Sequence, residues 1–168
     1  MKENIILIGM PGAGKSTVGV VLAKTLGLNF VDSDLVIQER EGALLQTIID
    51  KKGMSEFLEV EEAAVMSISG YSMVIATGGS VVYREAAMRH LKTIGRVVYL
   101  QVGYEEIIRR INNITTRGIA IREGATLKDI YDERSPLYEK YKDSVVRCDG
   151  LSVEEVIEAI CKEMTSDC

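Results

Sequence analysis

The sequence predicts an α/β fold in which helices cover a largely parallel sheet. Short apolar runs alternate with longer segments of helical period, which is typical of successive strand-helix-strand units. One apolar run leads directly into a glycine-rich loop and then into a helix. The 168 residues match the usual size of one domain, and no repeat, low-complexity tract or flexible linker divides them.

The first strand is predicted at residues 5–8 and the first helix at 15–26, with Gly27 in the position of a helix C-terminal glycine. The loop between them, Gly-Met-Pro-Gly-Ala-Gly-Lys-Ser-Thr, fits the pattern G-x-x-x-x-G-K-[ST] between a strand and a helix. In this pattern backbone N–H groups surround phosphate oxygens, the lysine reaches the β and γ phosphates, and the serine hydroxyl can ligate Mg²⁺. The expected nucleotide-binding residues are Gly12, Ala13, Gly14, Lys15, Ser16 and Thr17.

Polar residues follow the next two predicted strands, at residues 29–31 and 73–76. Asp32 and Asp34 would lie on the same side of an extended chain, where one carboxylate could serve Mg²⁺ and the other an acceptor hydroxyl. A helix N-cap is the alternative interpretation of the two aspartates. After the third strand, Gly78 and Gly79 allow a ligand to approach the backbone, although they are also typical of a tight turn.

Two further strands are predicted at residues 97–101 and 144–147, and a C-terminal helix follows the capping-box spacing of Ser152 and Glu155. Residues 112–125 form a long connection for a compact domain, so they are expected to be a lid or a binding loop. An irregular surface loop is the alternative.

Composition excludes several classes of function. The net charge of −5 and the absence of a long basic run argue against a nucleic-acid partner. His90 is the only histidine, so neither a Ser-His-Asp triad nor a multi-histidine metal site is expected. The cysteines, at 148, 161 and 168, form no C-x-x-C pair and are expected to be reduced thiols. The apolar run at residues 5–8 is too short for a signal peptide or a membrane span, so a cytoplasmic location and no membrane contact are expected.

In their order along the chain, the motifs resemble those of the shikimate kinase family of small P-loop kinases. The similarity covers nearly the whole chain and includes Gly-x-x-Gly-x-Gly-Lys-Ser-Thr, Asp-x-Asp, Glu-Phe-x-x-x-Glu-Glu, Gly-Gly, Val-Val-Tyr-Leu and Arg-Ser-Pro-Leu-Tyr. The resemblance implies a three-layer α/β/α P-loop NTPase fold with a five-stranded parallel sheet in the order 2-3-1-4-5. Residues 1–168 would be a single, monomeric kinase domain, with an acceptor-binding helical segment at about 33–62 and a lid at about 112–126.

The resemblance also implies an activity, the Mg²⁺-dependent transfer of the ATP γ-phosphate to the 3-hydroxyl of shikimate in the aromatic amino-acid pathway. The catalytic residues would be Lys15, Asp34 and Arg117, with Asp34 orienting or deprotonating the hydroxyl and Arg117 arriving with the lid. Ser16 and Asp32 would hold Mg²⁺, Asp32 through water.

The same resemblance assigns the remaining contacts. Arg110 would stack beside adenine, and Arg134 would bind the carboxylate of the acceptor. Phe57, Gly78 and Gly79 would line the acceptor pocket.

The acceptor half departs from the family pattern at three places. Leu58 replaces an arginine that binds the carboxylate, which removes a contact worth about 1.5–3 kcal/mol. Ser80 replaces a third glycine, and Gly118-Ile119 replaces a Pro-Leu pair after the lid arginine. Two alternatives therefore remain open, a kinase of another small hydroxylated metabolite and an ATP-binding regulatory module without catalysis.

Overall fold

A computed structural model describes residues 3–112 and 119–165, and this part of the chain forms five strands and seven helices. The strands are β1 (Asn4–Ile8), β2 (Asn29–Asp32), β3 (Met73–Ala76), β4 (Gly95–Gln101) and β5 (Ser144–Arg147). The helices are α1 (Lys15–Leu26), α2 (Ser33–Glu41), α3 (Leu45–Met66), α4 (Glu85–Ile94), α5 (Tyr104–Asn112), α6 (Leu127–Tyr141) and α7 (Val153–Thr165). A single 3₁₀ turn, Val81–Tyr83, follows β3.

The strands form one sheet in the order β2-β3-β1-β4-β5, and every neighbouring pair is parallel, so the predicted fold and strand order are confirmed. Every residue of β1 and β3 is buried, as expected for strands covered by helices on both faces. β4 begins two residues before its predicted start, because Gly95 and Arg96 continue the pairing with Asn4 and Ile5 of β1. A side chain at Gly95 would lie 2.4 Å from the carbonyl oxygen of Asn4, so glycine permits this approach.

Local sequence signals define several helix ends. Gly27 ends α1 with a φ of 65°, and Ser152 and Glu155 form the predicted capping box at the start of α7. Within α3 the backbone leaves the helical conformation at Gly53, where φ is 75°. This break separates the first two turns of α3 from the longer segment that contains Phe57.

Buried apolar residues form two clusters. The larger one lies around β1, β3 and β4 and includes side chains from α1, α4, α6 and α7. A smaller cluster under α2 and α3 is composed of Ile37, Leu45, Ile48, Ile49, Phe57, Ala64 and Ala120. None of the helices in the described ranges has both the length and the apolar character needed to cross a membrane.

Asn4 links the central strand to two connections that are distant in sequence. Its side-chain Nδ2 donates to the carbonyl oxygens of Gly70 at 2.8 Å and Ile94 at 2.9 Å, and its Oδ1 accepts from the backbone N–H of Met73 at 3.0 Å. The side chain is fully buried. One amide therefore aligns the starts of β1 and β3 and the end of α4.

We expect Asn4→Ala to lower the free energy of unfolding by about 3–5 kcal/mol, because it leaves buried backbone groups without hydrogen-bond partners. Urea unfolding followed by circular dichroism measures this value. Thr25→Ala, which removes an exposed hydroxyl from α1, is the control and should change it by less than about 0.5 kcal/mol. A loss below about 1 kcal/mol for Asn4→Ala would contradict the structural role.

Candidate active site

The predicted phosphate-binding loop follows β1 and curves over the start of α1. Gly12 and Gly14 have φ values of 82° and 93°, a conformation that favours glycine. Gly14 is the N-cap of α1, so the positive end of that helix faces the loop. Lys15 is buried, and its Nζ donates to the carbonyl oxygens of Gly9 at 2.7 Å and Met10 at 2.8 Å. The loop thus has the geometry of an anion-binding site next to a buried ammonium group.

Arg110 lies against the outer side of this loop. Its Nη1 donates to the carbonyl oxygens of Gly12 and Ala13 at 3.4 and 3.3 Å, and its Nε donates to Glu106 at 2.8 Å. A hollow of about 120 Å³ lies beside it between α1 and the start of α7, lined by Ala13, Gly14, Thr17, Val18, Arg110, Cys148, Leu151, Val153 and Val156. Arg110 therefore borders both the phosphate loop and a mostly apolar hollow.

Asp32 and Ser16 lie together at the end of β2. The Ser16 hydroxyl donates to Asp32 Oδ2 at 2.6 Å, and the other carboxylate oxygen accepts from the backbone N–H of Asp34 at 2.9 Å. Asp32 is consequently the N-cap of α2, and Asp34 lies in the first helical turn. The expectation that both aspartates lie on an extended chain is wrong, because the helix begins at Ser33.

Ser16 and Asp32 supply the oxygen atoms that Mg²⁺ prefers. Within residues 3–112 and 119–165, no group of three or more His, Cys, Asp or Glu side chains could hold a metal ion by itself. A site at Ser16 would thus need further ligands from phosphate oxygens and water, which is the usual arrangement for Mg²⁺ bound with a nucleotide.

A pocket connects this phosphate side to the ends of β2 and β3. Lys15, Ser16 and Asp34 line it together with Phe57 and Arg134. Its further lining residues are Pro11, Leu45, Glu61, Thr77, Gly78, Gly79, Ser80, Ile119 and Ala120. The structure therefore brings all the predicted acceptor-binding residues together, and we name this space the acceptor pocket.

The two glycines allow charged groups to approach the backbone on this wall. A Cβ at Gly78 would lie 2.5 Å from Glu61 Oε1 and 2.8 Å from Asp34 Oδ1. At Gly79 it would lie 2.7 Å from Pro11 and 3.0 Å from Arg134 Nη1. At both positions a larger residue would displace one of these neighbouring side chains, whereas glycine leaves them in place.

Glu61 is a buried acid of the acceptor pocket that the sequence analysis did not select. It is 1% exposed, and its Oε2 accepts from the Ser80 hydroxyl at 2.8 Å, whereas Oε1 has no hydrogen-bond partner. The pKa of Glu61 is raised to about 7, chiefly because burial disfavours the charged form. The negative charge of Asp34 also raises it, whereas the hydrogen bond from Ser80 and the positive charges of Arg134 and Lys15 lower it. Glu61 is one helical turn after Phe57, so the spacing of α3 could have placed both on one face.

Arg134 is a second buried cation that lines the pocket besides Lys15. It is 1% exposed, and its Nε donates to the hydroxyl of Tyr83 at 3.2 Å. Its Nη2 donates to the carbonyl oxygen of Ala120, and the guanidinium group lies over the Tyr83 ring. One turn further along α6, the Tyr138 hydroxyl donates to the carbonyl oxygen of Gly79 at 2.6 Å. These contacts fix α6 against both β3 and the chain around Ala120.

Leu58 does not line the acceptor pocket. It lines a neighbouring cavity with Met54, Tyr83, Ala120, Arg122, Ile130, Glu133 and Arg134. Arg122, from the long connection, forms an exposed ion pair with Glu133 of α6. Arg117, the predicted lid arginine, lies outside the described residues.

We expect Glu61→Gln to change how stability depends on pH. Between pH 4.5 and about 7 the wild-type side chain is protonated in the folded state but ionised in the unfolded state. Folding therefore loses stability as the pH rises through this window, by up to about 3 kcal/mol. The variant does not titrate, so its stability relative to the wild type should increase from pH 5 to pH 8.

Urea unfolding at several pH values measures this difference, and Glu105→Gln shows the effect of removing an exposed carboxylate. A difference between Glu61→Gln and the wild type that stays constant from pH 5 to pH 8 would contradict the raised pKa of Glu61.

Comparisons with known proteins agree with the geometry. A family model described as shikimate kinase matches residues 11–165. A shikimate kinase of Thermodesulfovibrio yellowstonii is 40% identical over 164 residues, which cover 96% of this chain and 94% of the relative. A shikimate kinase of Pseudomonas paraeruginosa is 41% identical over 166 residues, covering 95% of this chain and 96% of the relative.

The structure is also similar to solved structures over almost its full length. A shikimate kinase from Acinetobacter baumannii in complex with shikimate superposes with a TM-score of 0.89 at 30% identity, covering 99% of this chain and 95% of that one. A shikimate kinase from Aquifex aeolicus superposes with a TM-score of 0.81, also at 30% identity, covering 98% and 97% of the two chains. With the family model and the relatives in agreement, this chain belongs to the shikimate kinase family.

Proposed function

We propose that this chain transfers the γ-phosphate of ATP to the 3-hydroxyl of shikimate. The main support is that one pocket is lined both by the phosphate-side residues Lys15 and Ser16 and by Asp34 and Arg134 on the acceptor side. A phosphate donor and a hydroxylated acceptor could thus meet within one space. The Acinetobacter relative, whose structure is a complex with shikimate, supports the choice of acceptor.

Asp34 is the proposed catalytic base. It lies in the acceptor pocket in the first turn of α2, and its Oδ1 approaches Gly78. In the proposed step the acceptor oxygen forms a bond to the γ-phosphorus, the bond from that phosphorus to the β–γ bridging oxygen breaks, and ADP leaves. Asp34 accepts the hydroxyl proton.

Lys15 is proposed to stabilise the transferring phosphate. Its Nζ lies at the mouth of the loop on the carbonyl oxygens of Gly9 and Met10, within the same pocket as Asp34. From there the ammonium group could move to the β and γ phosphates, where it would balance their charge. Arg117 is proposed as the second cation for this charge, as its motif implies.

Mg²⁺ is the proposed metal cofactor. When bound, it would neutralise the phosphate charge and align the nucleotide for transfer. The Ser16 hydroxyl would be a direct ligand, and Asp32, which accepts from that hydroxyl at 2.6 Å, would hold it or a metal-bound water. Gly12, Ala13, Gly14 and Thr17 would complete the nucleotide site, and Arg110 would lie beside the base in the adjoining hollow.

The acceptor is proposed to lie between Asp34 and Arg134. Arg134 would attract its carboxylate, while Phe57, Gly78 and Gly79 would form the walls. The acidic net charge and the small pocket support a small-molecule partner rather than a nucleic acid. We further propose that the protein acts as a cytoplasmic monomer. Its residues 1–168 would form a single kinase domain that includes the acceptor-binding segment, at about 33–62, and the lid, at about 112–126.

Leu58 favours a second candidate, the phosphorylation of another small hydroxylated metabolite. Arg134 is the only arginine among the described residues that line the acceptor pocket, so a carboxylate there would meet one guanidinium group. Turnover of quinate, gluconate or a hydroxy amino acid in preference to shikimate would support this candidate.

We expect Asp34→Asn to lower kcat with shikimate by about 10²- to 10⁴-fold, because it removes the proton acceptor. ADP release in a coupled assay measures kcat, and a nucleotide-binding titration shows whether ATP affinity is retained. Asp50→Asn, an exposed aspartate on α3, is the matched control and should keep full activity.

Equal phosphate transfer by the wild type and Asp34→Asn would exclude the proposed base. If the wild type releases no ADP above its background with shikimate, the shikimate assignment fails. Absence of transfer to every hydroxylated acceptor would instead favour the regulatory ATP-binding module.

A further inference from the structure

Glu61 combines deep burial with a carboxyl oxygen that has no partner. Its side chain lines the acceptor pocket and is 1% exposed. Oε2 accepts from the Ser80 hydroxyl at 2.8 Å, whereas Oε1 has no hydrogen-bond partner among the described residues. This arrangement is costly for an ionised carboxylate, because a buried charge needs donors around both of its oxygens. The contacts therefore favour the uncharged form of the side chain.

The backbone beside Oε1 does not supply the missing donor. A Cβ at Gly78 would lie 2.5 Å from Oε1, so this oxygen packs directly against the glycine. The N–H of Gly78, however, donates to the hydroxyl of Ser33 at 3.1 Å. Asp34 Oδ1 would lie 2.8 Å from the same Cβ. The group that shares this space with Oε1 is thus a second carboxylate rather than a donor.

Acids and bases are equal in number among the described residues that line the acceptor pocket. The acids are Asp34 and Glu61, and the bases are Lys15 and Arg134. In the proposed function Lys15 balances the phosphates of ATP, and Arg134 attracts the carboxylate of the acceptor. An ionised Glu61 would then lie near two other negative charges, those of Asp34 and the acceptor, and like charges disfavour ionisation.

Two departures from the family pattern determine which partner Glu61 has in this chain. Residues 58 and 61 are three apart on α3, so an arginine at position 58 would be a neighbour of Glu61 on the helix surface. Leu58 brings no charge there and lines the neighbouring cavity instead. Ser80, which replaces a glycine, supplies the hydroxyl that Glu61 accepts from. The hydrogen-bond partner of Glu61 is therefore a neutral group and not a cation.

We propose that the acceptor binds to the form of the pocket in which Glu61 is protonated, so that Glu61 makes acceptor affinity depend on pH. The inference rests on the proposed function, since it assumes that ATP and an anionic hydroxylated acceptor share this pocket. The proton comes from solvent and is held on the Glu61 carboxyl group. Glu61 is a positioning residue, because it determines the charge state of the pocket around the proposed base, Asp34, and Ser80 fixes its orientation.

The pKa of Glu61 brings this equilibrium into the neutral range. Burial is the main cause of its rise to about 7. The charged groups that face Glu61 are Asp34 of α2, which raises the pKa, and Arg134 of α6 and Lys15 of α1, which lower it together with the Ser80 hydrogen bond. Because the apparent Kd is inversely proportional to the fraction of protein in the binding form, we expect Kd for shikimate to be about tenfold larger at pH 8 than at pH 6.

Titration calorimetry with shikimate measures Kd at pH 6, 7 and 8 in the presence of a nonhydrolysable ATP analogue. Repeating the titration at pH 7.5 in two buffers with different ionisation enthalpies gives the number of protons taken up per bound shikimate. The wild type should take up more than about half a proton beyond the value for Glu61→Gln. A wild-type Kd that is constant from pH 6 to pH 8, or equal proton uptake by the two proteins, overturns the inference.

Glu61→Gln replaces the neutral acid by a neutral amide of the same shape. It should therefore bind shikimate at pH 6 as tightly as the wild type does, and it should keep that affinity at pH 8. Glu59→Gln, at an exposed position of the same helix, is the matched control and should show the wild-type pH dependence. A rise in Kd for Glu61→Gln equal to that of the wild type assigns the effect to another group and overturns the inference.

Ser80→Ala gives a second test that does not alter Glu61 itself. The hydrogen bond from Ser80 lowers the pKa of Glu61, so its removal should move the rise in Kd to higher pH. Ser55→Ala, at an exposed position of α3, is the control. A pH profile that Ser80→Ala leaves in place contradicts the inference. If Glu61→Gln does not fold, the wild type and Ser80→Ala decide.

The inference and the proposed function can fail separately. Phosphorylation of shikimate with a pH-independent Kd overturns the inference and keeps the proposed function. Binding of shikimate with proton uptake but without phosphate transfer supports the inference and overturns the assignment as a kinase. If shikimate neither binds nor is phosphorylated, both fail.

Discussion

The burial of charged side chains at one edge of the sheet is the constraint that organises this molecule. Lys15, Glu61 and Arg134 are 6%, 1% and 1% exposed, and a buried charge is costly unless it is paired or hydrogen-bonded. Each has partners supplied by a different part of the chain: the phosphate loop holds Lys15, Ser80 holds Glu61, and Tyr83 and Ala120 hold Arg134. The convergence of strand ends, paired glycines and helix termini at this edge brings these partners together, and Oε1 of Glu61 is the one buried oxygen of the three side chains that has none.

Local patterns determined how much of this arrangement could be predicted. The strands at residues 73–76 and 144–147 and the helix at 15–26 have the predicted bounds, because a run of apolar residues or a terminal glycine marks each end. The prediction that Asp34 lies on an extended chain was wrong, because Asp32 caps a helix that begins immediately after the strand. A capping aspartate and a metal-site aspartate have the same local sequence, and here one carboxylate contacts both Ser16 and the helix N-terminus.

The acceptor side was harder to predict because it depends on packing between distant segments. Glu61 is charged and lies on a helix, which usually indicates a solvated position, yet Ser80 from the end of β3 and the glycines beside it enclose the carboxylate. Leu58 occupies a different wall from Phe57, since adjacent residues of a helix face in different directions. The cavity that Leu58 lines is formed jointly by residues of α3 and α6, which are distant in sequence, and no local spacing contains that information.

The order of strands has a consequence for synthesis of the chain. β1 is the first strand to leave the ribosome, but its two neighbours are β3 and β4, whose pairing begins at Ile5 with Val74 and at Asn4 with Gly95. The centre of the sheet cannot close until more than half of the chain has been made, and loop closure over such separations slows folding. During that interval β1 has no partner strand, and α1, which follows it directly and packs against it, is the local element that can cover its apolar side chains.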